Sequence, residues 1–125
     1  MAKVLEHKHI IIRAEVSEPI TRRNKAIKFL NRIIKAIGMK AMYGPTASYC
    51  KMNGNRGVTA FAIIETSHIA MHIWDEVNPA LVQLDVYTCG PFVPQSVLDI
   101  IQELKPLKVE YKYLDREKGF TELPI

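Results

Sequence analysis

Apolar and polar residues follow two periods along this chain of 125 residues, and these periods predict its secondary structure. Residues 9–16 are rich in isoleucine and predict a β-strand. From 22 to 37 the apolar residues recur at helical spacing, and Gly38 follows at the place where helices commonly end. Three further apolar runs predict strands: 57–64, 69–74 and 81–88.

The last third of the chain predicts one more helix and one more strand. Pro94 suits the first turn of a helix, an apolar stripe follows it, and Pro106 ends it. Residues 107–113 alternate between apolar and charged, as in a half-buried strand.

Two segments predict little regular structure. Residues 43–57 are rich in glycine and asparagine and predict mostly loop, with room for a short strand at 47–52. The tail after Arg116 is expected to be loosely ordered.

The predicted order is therefore β-α-β-β-β-α-β in a single domain, residues 1–125. The simplest packing is an α+β fold, a two-layer α/β sandwich with two helices on one face of a mostly antiparallel sheet.

The positive charge of the chain raises the question of a nucleic-acid partner, but the spacing of the basic residues argues against one. The formal net charge is +4, and seven of the 17 basic residues fall between Arg22 and Lys40. Five of them recur at helical spacing opposite the apolar stripe of the predicted helix, and we interpret these as a solvated helix face: Arg22, Lys25, Lys28, Arg32 and Lys35. No nucleic-acid motif accompanies them, and no nucleic-acid partner is expected.

Targeting signals and disulfides are not expected either. No apolar run is long enough to span a bilayer, and charges are spread through residues 1–20. Two cysteines, Cys50 and Cys89, do not make a disulfide framework. The chain is expected to be cytoplasmic, with reduced thiols and no membrane association.

Three reactive side chains stand out in the predicted strands: the Ser67 hydroxyl, the His72 imidazole and the Cys89 thiol. All three can take part in acyl or proton transfer. A metal site is not expected, because His68 and His72 on one strand lie about 13 Å apart, whereas zinc–nitrogen bonds are about 2 Å.

A Ser-His-acid hydrolase is not favoured, because Ser67 lacks the Gly-x-Ser-x-Gly context of a nucleophile elbow. Each residue alone also fits a structural role. Ser67 could sit in a turn, His72 could be a hydrogen-bonded core histidine, and free cysteines such as Cys89 are often buried.

The combination of these residues is more specific than any one of them. It runs Thr66-Ser67-His68, His72, Trp74, Glu76, and then Asp85, Thr88, Cys89, Gly90. This series resembles the small prokaryotic S-adenosylmethionine decarboxylase proenzymes, which depend on a pyruvoyl group. The resemblance runs from about His9 to Gly119 and is densest over Gly57–Gly90.

The resemblance implies that the chain cleaves itself between Thr66 and Ser67. Ser67 would become the pyruvoyl cofactor, whose carbonyl forms a Schiff base with the substrate amine. His72 matches the family's processing histidine, and Thr59 matches a hydroxyl residue that supports processing.

The resemblance also implies a substrate, S-adenosylmethionine, and a product used as aminopropyl donor in spermidine synthesis. Cys89 matches the cysteine that returns a proton to the substrate carbon. Glu76 matches an acidic residue that binds the ribose hydroxyls, and the Trp74 ring is expected to pack against the adenine. The family pairs into homodimers.

Two departures leave alternatives open. Thr66 stands where the family usually has glutamate, and Asn53 lies near the position of an aromatic residue that stacks on adenine. Tyr49 is a candidate to replace that ring. The alternatives are a pyruvoyl-dependent decarboxylase of another amino acid and an unprocessed, non-enzymatic ligand-binding homologue.

Overall fold

Seven strands and two helices build residues 6–125, the part of the chain that the computed structural model describes. The strands are β1 (Lys8–Val16), β2 (Ala41–Cys50), β3 (Gly57–Ile64), β4 (Ser67–Trp74), β5 (Ala80–Thr88), β6 (Pro106–Asp115) and β7 (Thr121–Glu122). The helices are α1 (Arg23–Ala36) and α2 (Pro94–Ile101), and a 3-10 turn follows α2 at Gln102–Leu104. The sheet is antiparallel throughout, in the order β2-β3-β4-β5-β1-β6-β7.

One face of the sheet packs against the two helices and forms the core. Alternate strand residues point inward and are buried, among them Ile10, Ile12, Ala60, Met71 and Leu84. The helices add Phe29, Leu30 and Ile33 from α1 and Val97 and Ile101 from α2 to the same core, where the two helices also contact each other. The predicted two-layer α+β sandwich is confirmed.

The prediction that residues 43–57 are mostly loop is wrong for their first half. Ala41–Cys50 forms β2, the edge strand that pairs with β3. Gly44 and Pro45 interrupt the alternation there, and the register shifts on both sides of Tyr43. An edge strand tolerates proline because one side of its backbone has no strand to bond. Sequence periodicity therefore misses a strand of this kind.

The tail after Arg116 is also more regular than expected. Thr121 and Glu122 form the short strand β7, which pairs with the end of β6. The Leu123 N–H donates to the Tyr113 carbonyl at 2.7 Å. With β2 and β7, the observed order is β-α-β-β-β-β-α-β-β.

A tight hairpin joins β3 to β4. Ile64 pairs with Ser67, so Glu65 and Thr66 alone form the turn. The strand β4 begins two residues earlier than the predicted 69, because Ser67 and His68 join the ladder. The Thr66–Ser67 peptide bond therefore lies where the turn meets the strand.

Gly57, the first residue of β3, is expected to be indispensable to this sheet. Its φ of +151° is rare for residues with a side chain, and an added Cβ would lie 1.6 Å from the Ile73 carbonyl oxygen. We expect Gly57→Ala to lower the free energy of unfolding by more than about 3 kcal/mol. Gly38→Ala is the control, since Gly38 also has positive φ but an added Cβ would meet nothing within 4 Å.

Denaturant unfolding of both variants measures the difference. The control should lose about 1 kcal/mol, the usual cost of a left-handed non-glycine residue. Equal losses in the two variants would contradict the close approach of Gly57 to β4.

Candidate active site

The carbonyl of Thr66 is held at the tip of the β3–β4 hairpin by the chain that follows β5. The Cys89 backbone N–H donates to the Thr66 carbonyl oxygen at 2.7 Å. A short N–H···O bond draws electron density from the carbonyl carbon and stabilises negative charge that develops on the oxygen. The backbone of Cys89, rather than its thiol, thus contacts the bond that the family resemblance implies is cleaved.

Ser67, on the other side of that bond, has an unusual backbone conformation. Its φ is +142°, one of two positive values among the non-glycine residues of 6–125. Backbone strain of this kind costs about 1–3 kcal/mol and persists only where surrounding structure enforces it. Here the ladder bonds of β4 to β3 and β5 enforce it, since Ser67 pairs with both Ile64 and Thr88.

The side chain of Thr66 is fixed as well. Its hydroxyl donates to the Met39 sulfur at 2.9 Å and lies 3.1 Å from the Thr88 hydroxyl. Thr88 is fully buried and accepts a bond of 2.8 Å from the Gly90 N–H. A threonine in place of the family's glutamate is therefore accommodated by a neutral hydroxyl network.

Thr59, His72 and Trp74 form a second group on the outer face of the sheet. The Thr59 hydroxyl lies 3.1 Å from His72 Nδ1, directly across the β3–β4 ladder. The rings of His72 and Trp74 are 5.9 Å apart between centroids. The Trp74 indole N–H donates to Asn55 Oδ1 at 2.7 Å, which fixes the ring against the β2–β3 loop.

Glu76 is held by the same loop. Its Oε1 accepts the Arg56 backbone N–H at 2.8 Å. Backbone hydrogen bonds from Arg56 and Gly54 hold the pKa of Glu76 below its ordinary value. The carboxylate is thus ionised near neutral pH and exposed, and it retains lone pairs for further donors.

The structure separates the predicted residues into two groups. Ser67 is the first residue of β4 and His72 the sixth, so about 16 Å of extended strand separates them. Thr66, Ser67 and Cys89 lie at one end, whereas Thr59, His72, Trp74 and Glu76 lie at the other. Within one chain, His72 does not reach Ser67.

Tyr49 does not replace the missing aromatic ring. It packs against the core on the helix side of β2, opposite to the face that carries Trp74. Its hydroxyl donates to Asp75 Oδ2 at 2.8 Å. Asn53 is engaged with the loop itself, since its side-chain oxygen accepts from the Arg56 guanidinium at 3.0 Å.

A polar cluster that the sequence pattern did not indicate lies on the outer face of the sheet, beside Ser67. Asp85 Oδ1 lies 3.1 Å from Nε2 of both His9 and His68. Burial alone would raise the pKa of Asp85, but the hydrogen bonds from His9 and His68 lower it below its ordinary value. Arg116 contacts the other ring nitrogen of His9 at 3.1 Å and stacks on Tyr87. The sequence did hold one signal for this cluster. His9 and His68 both fall at outward positions of β1 and β4.

Among residues 6–125, His, Cys, Asp and Glu side chains form no group of three that could hold a metal ion. Neither described helix is long and apolar enough to cross a lipid bilayer.

Comparison with known proteins decides the family. Residues 8–117 match the profile of the family described as S-adenosylmethionine decarboxylase. The chain belongs to this family. The resemblance carried by residues 57–90 is thereby confirmed, and it extends over most of this S-adenosylmethionine decarboxylase chain.

Individual relatives agree. The S-adenosylmethionine decarboxylase proenzyme of Pyrobaculum islandicum is 40% identical over 108 residues, which cover 85% of this chain and 76% of that protein. The proenzyme of Pyrobaculum arsenaticum is 37% identical over 99 residues, covering 78% and 70%. The crystal structure of the adenosylmethionine decarboxylase from Aquifex aeolicus superposes with a TM-score of 0.66 at 26% identity, covering 99% of this chain and 98% of that one.

Proposed function

We propose that this chain is a proenzyme that cleaves itself between Thr66 and Ser67 and then decarboxylates S-adenosylmethionine to the aminopropyl donor of spermidine synthesis. The observation that carries the proposal is the 2.7 Å bond from the Cys89 N–H to the Thr66 carbonyl oxygen, next to the strained Ser67. A polarised carbonyl beside a hydroxyl residue in a strained backbone is suited to intramolecular acyl transfer.

We infer the cleavage steps from the family resemblance. Ser67 Oγ attacks the Thr66 carbonyl carbon, the Thr66–Ser67 amide bond breaks, and an ester with a free Ser67 amine remains. A base then removes the Ser67 α-proton, the ester C–O bond breaks, and Thr66 leaves as a carboxylate. Water converts the resulting dehydroalanine to a pyruvoyl group with release of ammonia. The Cys89 N–H stabilises the charge on the Thr66 oxygen during the first step.

The residues at this end of the sheet fit the pyruvoyl group. That group supplies a ketone that withdraws electrons while carbon dioxide leaves the substrate. Cys89 remains beside the new chain end, and we assign its Sγ–H the return of a proton to the substrate carbon. Thr88 and Gly90 hold Cys89 in place through the buried hydroxyl.

The nucleoside end of the site is formed by Trp74 and Glu76. The Glu76 carboxylate can accept two ribose hydroxyls, and the Trp74 ring offers a wall to adenine and to the cationic sulfonium. Asn53 is the feature that favours another amino acid as substrate, since it lies near the position where the family has an adenine-stacking ring. Release of carbon dioxide from S-adenosylmethionine but not from free amino acids supports the first substrate, and the reverse result supports the second.

We further propose that the enzyme is a homodimer whose two copies share each active site. Ser67 and His72 lie about 16 Å apart in one chain, too far for His72 to take the Ser67 α-proton. A twofold axis that crosses β4 near its middle lays the Ser67 end of one strand over the His72 end of the other. Each site then combines Ser67 and Cys89 from one copy with Thr59, His72 and Glu76 from the second.

The outer face of the sheet supports this pairing. Three apolar side chains on it are exposed to solvent: Phe61 (40%) and Ile63 (45%) on β3, and Ile11 (44%) on β1. An exposed apolar patch on a sheet face is typical of a protein–protein interface. The same face carries His72 and Trp74, so a second copy seated there meets the catalytic groups.

Mass spectrometry of the freshly purified chain tests the proposed function. We expect two fragments, residues 1–66 and 67–125, the second beginning with a ketone that phenylhydrazine labels. A single species of 14.2 kDa that resists phenylhydrazine would favour the unprocessed, non-enzymatic homologue instead.

A further inference from the structure

We propose that His68 is a positioning residue that anchors the new chain end after cleavage, through its hydrogen bond to Asp85. The inference rests on the proposed cleavage before Ser67. Cutting that bond makes residue 67 a chain terminus and His68 the residue bonded directly to it. Whatever holds His68 therefore sets where the ketone points.

The cut removes the covalent restraint on the start of β4. In the intact chain, Ser67 is tied to β3 through the two-residue turn. After cleavage only ladder pairing remains at this end, including the pairs of Ser67 with Thr88 and of His68 with Tyr87. Chain ends fray unless something ties them down, so the side chain of His68 becomes the nearest remaining anchor.

Asp85 is placed to grip this end from the neighbouring strand. Its Oδ1 lies 3.1 Å from His68 Nε2 on β4 and 3.1 Å from His9 Nε2 on β1. In both directions it is the diagonal neighbour, since His68 and His9 stand directly opposite Tyr87. One carboxylate thus ties three adjacent strands together beside the cleavage point.

The protonation of this cluster can be assigned from its partners. Arginine only donates, so Arg116 Nη1 must donate to His9 Nδ1 across their 3.1 Å contact. His9 then carries its proton on Nε2 and donates to Asp85. Asp85 accepts a second bond from His68 Nε2, which leaves the carboxylate ionised and both imidazoles fixed in orientation.

Aromatic packing restricts the rings further. Tyr87 lies between the imidazoles, with centroid distances of 5.7 Å to His68 and 5.4 Å to His9. The Arg116 guanidinium carbon sits 4.4 Å from the centroid of Tyr87. His68 is therefore held by contacts with β5, although its side chain is 48% exposed.

The experiment compares cleavage with ketone reactivity in wild type, His68→Ala and His68→Gln. Mass spectrometry gives the extent of cleavage, and the rate of phenylhydrazine labelling gives the placement of the ketone. We expect His68→Ala to cleave as wild type does, because the Thr66 and Cys89 contacts are untouched. Its kcat should fall about tenfold or more, since small misplacement of a reacting group is costly, and its labelling rate should change as the ketone loses its fixed orientation.

His68→Gln supplies the test of positioning. A glutamine amide can place a donor near the position of His68 Nε2 but cannot relay a proton, so it should restore most of kcat and the wild-type labelling rate. His7→Ala is the matched control, because His7 contacts Tyr87 in the same cluster but not Asp85. Size-exclusion chromatography checks that all variants keep the same oligomeric state.

Three results would overturn the inference while leaving the proposed function intact: wild-type kcat and labelling in His68→Ala, no rescue by His68→Gln, or the same defect in His7→Ala. Failure of wild type itself to cleave would instead overturn the proposed function.

Discussion

Ser67→Ala is expected to remain a single chain of 14.2 kDa, without labelling by phenylhydrazine and without decarboxylase activity. The substitution removes the atom that attacks the Thr66 carbonyl, so the loss is complete rather than partial. The fold should persist, because alanine and serine have the same backbone demands at φ +142° and β4 pairs through its backbone. Mass spectrometry and circular dichroism measure the two expectations.

A conservative variant and a control sharpen this result. Ser67→Cys replaces the hydroxyl with another nucleophile and should cleave at a reduced rate. Thr21→Ala removes an exposed hydroxyl from the segment just before α1, in the helix layer, and should cleave normally. Cleavage of the Ser67→Ala variant directly after Thr66 would disprove the role given to the hydroxyl.

Mixed dimers of Ser67→Ala and His72→Ala are expected to regain the activity that each variant lacks alone. If each site takes Ser67 from one copy and His72 from the other, one of the two sites in a mixed dimer contains both. Co-expression with two different purification tags isolates these dimers. The His72→Ala chain in them should be cleaved to the ketone-bearing fragment, and the Ser67→Ala chain should stay whole.

The control pairs Ser67→Ala with Cys89→Ala. Both residues lie at the same end of β4 and enter the same site from one copy, so no site in this mixed dimer is complete. Decarboxylase activity should stay absent. If the Ser67→Ala and His72→Ala pair also remains inactive, the shared site is wrong and His72 must act within its own chain or not at all.

The regular part of this fold was predictable because local pattern and tertiary burial agree there. The bounds of β3 were predicted to the residue, since Val58, Ala60, Ala62 and Ile64 alternate cleanly toward the helices. β2 was not predicted at its full length, because Gly44 and Pro45 interrupt the alternation of this edge strand. The first half of β2 is recognisable as a strand only from its pairing with β3.

The sequence named candidate residues for the site but not their arrangement in space. The chemistry of their side chains and the family resemblance both pointed to Ser67, His72 and Cys89. The predicted strand at 69–74 already implied that His72 stands well away from Ser67, but not which residues would meet each of them. The cluster around Asp85 escaped notice for a related reason. His9 and Arg116 come from opposite ends of the chain, and only the placement of β1 between β5 and β6 brings them to Asp85.

That placement of β1 has a consequence for the nicked protein. A cut after Thr66 assigns β1, β2 and β3 to one fragment and β4 through β7 to the other, yet β1 lies wedged between β5 and β6. Strands of the two fragments therefore alternate within one sheet. Neither fragment could dissociate without breaking the pairings of β1 with β5 and β6, so the proposed cleavage would leave the two fragments bound together.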